Sequence, residues 1–206
     1  MPPRVLLLGG NAALARMMTT SMLARSWDVV SVLINPAQKA SIDRLSTKKP
    51  GHGSLQIVVR DLERMESVIE ARNLLNDTEP AYVVFVAGSM SNPSGVDRDI
   101  LCKHPWTRRR QHHGGQTKKN RDWVHERDSY PNIYRAKIEA DGFLHPLANK
   151  SGREDLQGIS LRPTWMTNAR GMGKVCLGRT GAVGTVTRQD VANVAMGLLS
   201  RNDTRG

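Results

Sequence analysis

Aromatic residues are scarce in this chain, at 4% of its length, so its core has to be built from aliphatic side chains. Cysteine is scarcer still. Cys102 and Cys176 form no C-x-x-C pair and no disulfide framework, the usage expected of a reduced, cytoplasmic setting. No apolar run approaches the roughly 18 residues that a membrane span requires. The aliphatic run Val5-Leu6-Leu7-Leu8 stops at Gly9-Gly10, short of a signal-peptide core. These absences predict a soluble intracellular protein with no membrane partner. With 206 residues and 39% apolar content, one well-buried α/β domain spanning 1–206 is expected, and two are not.

Basic charge is abundant but local. The net charge is +11, and residues 98–127 carry nine Lys or Arg against three acids, a net +6 of that total. The other residues are close to balanced, so the excess describes one segment and not the whole surface.

Strand and helix signals alternate through the first 87 residues. Val5–Leu8 reads as a central parallel strand, continuous in aliphatics and closed by glycines. Residues 12–25 follow as a helix, with Leu14, Met18 and Met22 on one stripe. Asp28–Ile34 is a second strand ended by Asn35-Pro36, and 37–46 is helix-like. Leu55–Val59 is a third strand. Asp61 is placed to cap a further helix whose apolar set includes Leu62, Met65, Val68 and Ile69. Ala81–Ala87 is the fourth strand and the richest in β-branched residues. A β-α-β-α-β-α-β order with crossovers of helical length predicts a parallel, doubly wound, Rossmann-like sheet with right-handed connections. Beyond the fourth strand, Tyr134–Leu144 reads as a helix, and Leu156–Leu161 as a strand stopped by Arg162-Pro163. Residues 165–186 are Gly-rich loop and short extended pieces. Thr187-Arg188-Gln189-Asp190 offers a capping box for a last helix carrying Val191, Val194, Ala195, Leu198 and Leu199 on one face.

The chemistry concentrates at strand ends. Gly9-Gly10-Asn11-Ala12 lies between the first strand and the first helix, where small residues let backbone N–H groups and the helix dipole approach a pyrophosphate. The spacing Gly9, Ala12, Ala15 fits G-x-x-G-x-x-[GA] with Ala in the middle place; a tight turn without a ligand is the alternative reading. At the end of the second strand, an acidic residue would favour the ribose of NAD and an Arg the phosphate of NADP. The residues there are Leu33, Ile34 and Asn35, so the preference is not legible at that point. Asp61 and Leu62, after the third strand, are placed to meet an adenine edge, or Asp61 is only a helix cap. Ala87 and Gly88 again supply small residues where a cofactor would run close to the backbone.

VLLLGG, the VVFVAG strand end, YRAKIEAD, ISLRP and VTRQDVANVA, in that order, resemble an atypical short-chain dehydrogenase/reductase of the NmrA-like or epimerase-like branch, over about 4–97 and 129–206. The resemblance implies a Rossmann fold, NAD or NADP as cofactor, and hydride transfer to or from a small carbonyl or alcohol. It makes Lys137 the lysine that holds the nicotinamide ribose. The acid/base tyrosine belongs four residues before that lysine, where Ile133 stands; Tyr134 is the neighbouring candidate on the same helix. An ordinary surface helix is the competing reading of Tyr134 and Lys137. Arg162-Pro163 resembles the family's turn beside the nicotinamide, and Arg188 a residue of the loop before the last large helix. A catalytically inactive NAD(P)-binding or regulatory protein is the competing function, favoured by Ile133 and by the lack of a fifth strand.

The basic stretch HPWTRRRQHHGGQTKKNRDW, residues 104–123, has no metal-ligand spacing among its histidines. Its arginines and lysines, with Trp106 and Trp123, could neutralise phosphates and stack bases. Its position argues otherwise. It fills the interval where a doubly wound fold places a helix and a fifth strand, but with Arg, Lys, His and Gln in place of aliphatics. The expectation is a fold incomplete around strand 5 and at the C-terminus, with 98–128 an irregular basic segment and nucleic acid not a partner.

Overall fold

The structure is a computed structural model, which describes residues 2–46, 49–62, 64–65, 67–86, 135, 138–142, 144, 146, 158–163, 165–177 and 185–201. The basic segment 98–128, with the interval expected to hold a fifth strand, lies outside these residues. The chain divides into two compact units. The first comprises Met1–Gly88, Asn168–Met172 and Thr187–Asn202.

Four parallel strands build the first unit. β1 (Arg4–Leu8) pairs with β2 (Asp28–Leu33) on one side and β4 (Tyr82–Phe85) on the other, and β2 pairs with β3 (Leu55–Val59). The order β3-β2-β1-β4 is the doubly wound arrangement that the alternating pattern predicts. β1 and β2 are central, which is why their aliphatic runs do not alternate with polar residues: both faces are covered.

The two faces collect separate cores. On one, Val5, Leu7 and Val29 pack with Ala15, Met18, Met22 and Leu23 of α1 (Ala13–Ala24) and with Ala192, Ala195 and Met196 of α4 (Arg188–Leu199). On the other, Leu6, Val30 and Val32 pack with Leu74 of α3 (Val68–Thr78), joined by Leu62 and Met65. At the N-terminal end of the sheet, Trp27 stacks on Tyr82 with ring centroids 5.5 Å apart, so two of the few aromatics close that end.

Several boundaries differ from the sequence expectation, each for a local reason. Ile34 falls outside β2 and is 52% exposed, because Asn35 ends the strand by accepting Ala37 N–H at Oδ1, 2.9 Å. A 3₁₀ turn at Pro36–Gln38 then precedes a short α2 (Lys39–Asp43). Asp61 does not cap α3. Met65 N–H bonds the Leu62 carbonyl at 3.4 Å, a turn that seats Leu62 and Met65 on the sheet. The chain then straightens at Ser67, whose Oγ accepts Glu70 N–H at 3.2 Å and caps the helix. With the helix phased by buried Leu74 and Thr78, Val68 and Ile69 point outward, at 60% and 66% exposure. They are surface residues, where the sequence predicted core.

In the second unit, the described residues within 135–146 are helical, as expected. β5 (Trp165–Thr167) pairs with β6 (Thr185–Thr187). The predicted strand at 156–161 is not formed over its described residues 158–161. There the side chains, not a ladder, make the attachment. Ser160 Oγ donates to Asp141 Oδ1 at 2.7 Å and Arg162 Nε to Asp141 Oδ2 at 2.7 Å, which leaves Ile159 and Leu161 at 38% and 39% exposure. Among the described residues no helix is long and apolar enough to cross a membrane.

Candidate functional site

Parallel pairing brings the C-terminal ends of β1, β2 and β3 to one rim of the sheet, where open α/β sheets hold their ligands. Leu8 is opposite Val32, and Leu33 opposite Val59. The residues that follow each strand are therefore neighbours although they are up to fifty positions apart in sequence.

After β1 the chain turns on Gly9, at φ 85°, a conformation that costs an L-residue about 1 kcal/mol or more. Gly10 donates its N–H to the Val32 carbonyl at 3.0 Å, which pulls the turn against β2. A Cβ on Gly10 would overlap Ser31 Oγ and press on Leu33 Cδ2 at 3.3 Å. Both glycines are thus required, one by torsion and one by contact. Ala12 N–H bonds the Gly9 carbonyl at 3.1 Å, and Ala12 occupies the N-cap of α1. No side chain caps this helix and its first turn has no acidic residue. The opening amides of α1, and the positive end of its dipole, therefore have no partner supplied by a capping side chain.

Beside the turn lies Ser31, fully buried, with an Oγ that has no hydrogen-bond partner among the described residues. The turn and the polar atom beneath it fit an anionic group carrying several acceptor oxygens, such as a pyrophosphate.

The end of β2 contributes less than the sequence reading asked of it. Asn35 is exposed and its Oδ1 is engaged by Ala37, which leaves its amide nitrogen as the group able to meet a ligand. The end of β3 contributes more. Arg60 N–H bonds the Leu33 carbonyl at 2.8 Å, extending the ladder one residue and bringing Arg60 beside the end of β2. A cleft of about 210 Å³ opens there, lined by Arg60, Asp61, Arg64, Met65 and Glu70. Asp61 Oδ2 pairs with Arg64 Nε at 3.4 Å, and Leu62 is drawn into the sheet core, so Leu62 backs the rim and Asp61 faces it.

Of the residues singled out in sequence, Gly9, Gly10, Asn11, Ala12, Asn35, Asp61 and Leu62 are gathered on or behind this rim. Ala87, Gly88, Tyr134 and Lys137 lie outside the described residues. Val86 N–H bonds the Leu8 carbonyl at 2.9 Å, so the end of β4 is directed at the same rim. Arg188 and Arg162 are held by Asn168 Oδ1 (2.8 Å) and Asp141 respectively. Two residues brought to this rim were not singled out in sequence. Ser31 is one residue inside an apolar strand, and only a structure shows that the Gly10 backbone lies on it. Arg60 stands in plain view in Val58-Val59-Arg60-Asp61, but the sequence argument looked for a cofactor-reading Arg after strand 2, not after its neighbour.

One displaced carboxylate elsewhere is structural. Asp28, at the opposite end of β2, accepts Ser54 Oγ at 2.6 Å and Ser54 N–H at 2.8 Å. These bonds, the side-chain one foremost, hold its pKa below the ordinary aspartate value.

No protein-family model matches the chain. No curated protein matches it either. Solved structures do. A Bacillus halodurans protein grouped with the NAD-dependent epimerases/dehydratases superposes with a TM-score of 0.67 at 21% identity, covering 99% of this chain and 91% of its own. A short-chain type dehydrogenase/reductase from Mycobacterium ulcerans gives 0.64 at 16% identity, covering 96% and 83%. The anaerobillin reductase ChuY from Escherichia coli gives 0.63 at 14% identity, covering 98% and 93%. The sheet order, the glycine turn at the end of β1 and these likenesses agree: this chain has the Rossmann-like fold that those proteins share.

Proposed function

We propose that this chain binds a nicotinamide dinucleotide across the rim formed by β1–β4 and works as an oxidoreductase of the short-chain dehydrogenase/reductase type, in the NmrA-like or epimerase-like branch and in the cytoplasm. The observation that carries the reading is the Gly9–Ala12 turn. It is forced into shape by Gly9 torsion and Gly10 contact, and it opens a helix that no side chain of its own caps. The names of the structural neighbours, an epimerase/dehydratase, a dehydrogenase and a reductase, support the reaction class.

In this reading the turn from Gly9 to Ala12 cradles the pyrophosphate, and Asn35, Asp61 and Leu62 border the adenosine. Ala87 and Gly88 allow the dinucleotide to pass close to the backbone, and Lys137 holds the ribose next to the nicotinamide. The nicotinamide supplies the hydride chemistry when bound. Tyr134 would exchange the proton at the substrate oxygen, with Lys137 lowering its pKa. On a helix, positions i−3 and i−4 both neighbour position i, which is the ground for giving Tyr134 this role although Ile133 holds the usual tyrosine place. The substrate is a small carbonyl or alcohol. Ile133 is also the specific feature that favours the second reading, a dinucleotide-binding protein that does not catalyse.

Titration of the protein's tryptophan fluorescence with NADH and NADPH tests the first step. Saturable quenching is expected; its absence up to millimolar ligand would remove both readings. Reduction assays over a panel of small carbonyls, with Tyr134→Phe and Lys137→Ala, then separate them. Turnover abolished by either change supports the assigned roles, and turnover surviving both refutes them.

A further inference from the structure

The rim carries a basic residue in a place that sequence inspection of β2 does not reach. We infer that Arg60 makes this site select a dinucleotide bearing a phosphate on its adenosine ribose, NADP, over the unphosphorylated NAD. The inference rests on the dinucleotide reading above and adds to it the class of cofactor.

The end of β2 carries no acidic residue. A carboxylate at the end of that strand would accept hydrogen bonds from a free ribose diol and repel a phosphate. Leu33, Ile34 and Asn35 stand there instead, and the one acceptor among their side chains, Asn35 Oδ1, is already taken by Ala37 N–H. None of these three residues carries a charge that would repel a dianion.

Arg60 is held at this same end of the sheet. Its backbone N–H bonds the Leu33 carbonyl at 2.8 Å, so it stands directly beside the β2 end and not merely somewhere on the surface. The residue is exposed. Its guanidinium enters no ion pair among the described residues. Arg64, the other cation lining the cleft, is paired with Asp61 at 3.4 Å, so among the residues lining the cleft Arg60 is the cation without an ion pair. Glu70 lines the same cleft and opposes anion binding, which makes the fork geometry of an arginine, able to give two parallel hydrogen bonds to a phosphate, the more necessary. A cleft of about 210 Å³ has room for a phosphate group and part of a ribose.

The test is a set of direct binding measurements by calorimetry on the full chain. The probes are NADP, NAD, adenosine 2′,5′-bisphosphate and 5′-AMP, measured against the unmodified protein and Arg60→Gln, with circular dichroism to establish that the exposed substitution leaves the fold intact. The unmodified protein should prefer NADP over NAD, and the bisphosphate over AMP, by roughly tenfold or more, the worth of a charge-assisted contact. Arg60→Gln should weaken NADP and the bisphosphate by about that factor and leave NAD and AMP within twofold. Raising the salt should erode the NADP preference of the unmodified protein more than that of the variant. Equal or tighter binding of NAD by the unmodified protein overturns the inference, as does a variant that weakens all four probes alike. Binding of none of them overturns the dinucleotide reading itself, a different result from a site that binds NAD but ignores the phosphate.

Discussion

Helices α1 and α4 pack side by side on the same face of the sheet, yet they begin in opposite ways. At the start of α4, Thr187 Oγ1 accepts Asp190 N–H at 3.0 Å and donates to Asp190 Oδ2 at 2.8 Å, and that carboxylate also accepts Met172 N–H at 2.9 Å. Asp190 is only 3% exposed, and it carries negative charge to the positive end of the helix dipole. The capping hydroxyl and the buried carboxylate at that helix end are both satisfied by the chain's own atoms. At the start of α1 stand Ala12, Ala13 and Leu14, with a glycine turn before them and neither a capping side chain nor an acid. The start of α4 is itself buried, at Thr187 and Asp190, whereas Ala12, Ala13 and Leu14 at the start of α1 are half-buried or exposed. One end is closed by its own side chains, and the other has no capping side chain, the contrast on which the proposed dinucleotide site rests.

The largest effect should come from breaking the self-sufficient end. Asp190→Ala leaves Met172 N–H and the Thr187 hydroxyl without their acceptor in a buried place, which should lower unfolding stability by about 2–4 kcal/mol. Urea denaturation would show it, while dinucleotide affinity of the folded fraction stays unchanged. If affinity falls in parallel, the two helix ends are not independent and the contrast fails.

Next is the contact that shapes the open end. Gly10→Ala forces a methyl into Ser31 Oγ and should cost about 1–3 kcal/mol. Ser31→Ala alone removes a buried hydroxyl with no partner and should be close to neutral. The double variant should recover part of the loss, since the oxygen is the worst overlap and Ser31 Cβ remains at 3.2 Å from the new methyl. Thermal unfolding of the four proteins gives the coupling, and strict additivity would show that the two residues do not meet as described.

Ala12→Asp would convert the open end into the closed kind. A carboxylate at the N-cap should stabilise α1 by about 0.5–1 kcal/mol while it repels a pyrophosphate from the same amides. A raised melting temperature with dinucleotide binding at least about tenfold weaker is expected. Stabilisation without loss of binding would place the phosphates elsewhere.

The smallest effect concerns the far end of the sheet, where Asp28 and Ser54 satisfy each other. The folded-state pKa of Asp28 lies below its unfolded value, so its contribution is present above the unfolded pKa, near 4, and is lost as pH falls through the folded one. Asp28→Asn should therefore flatten the acid limb of stability against pH below about 4 and change little at neutrality. An unchanged acid limb, read from urea midpoints across pH, would remove the Ser54 bonds as its cause.

The alternation of aliphatic runs and helical stripes made the parallel sheet legible, because a buried central strand such as Val5–Leu8 must be apolar on both faces and a crossover helix must carry one stripe. The same reasoning located the Gly9-Gly10 turn, since no other residue type tolerates that torsion and contact together. It failed where local signals compete. Asp61 looked like a cap until Leu62 and Met65, drawn to the sheet, took the chain through a turn and passed the cap to Ser67. Residues 158–161 read as a strand by composition, but a strand also needs a partner edge, and here Ser160 and Arg162 answer to Asp141.

Composition and periodicity by themselves determined the fold class, the order of the elements through β4 and the place of the Gly9-Gly10 turn, because each depends on residues close together in the chain. Only the tertiary structure decided which side chains share the rim. Ser31 lies beneath Gly10 and Arg60 lies beside Leu33 through backbone pairing between strands. Pairing register is a long-range property: it is fixed when whole faces are buried together, and no single segment contains it.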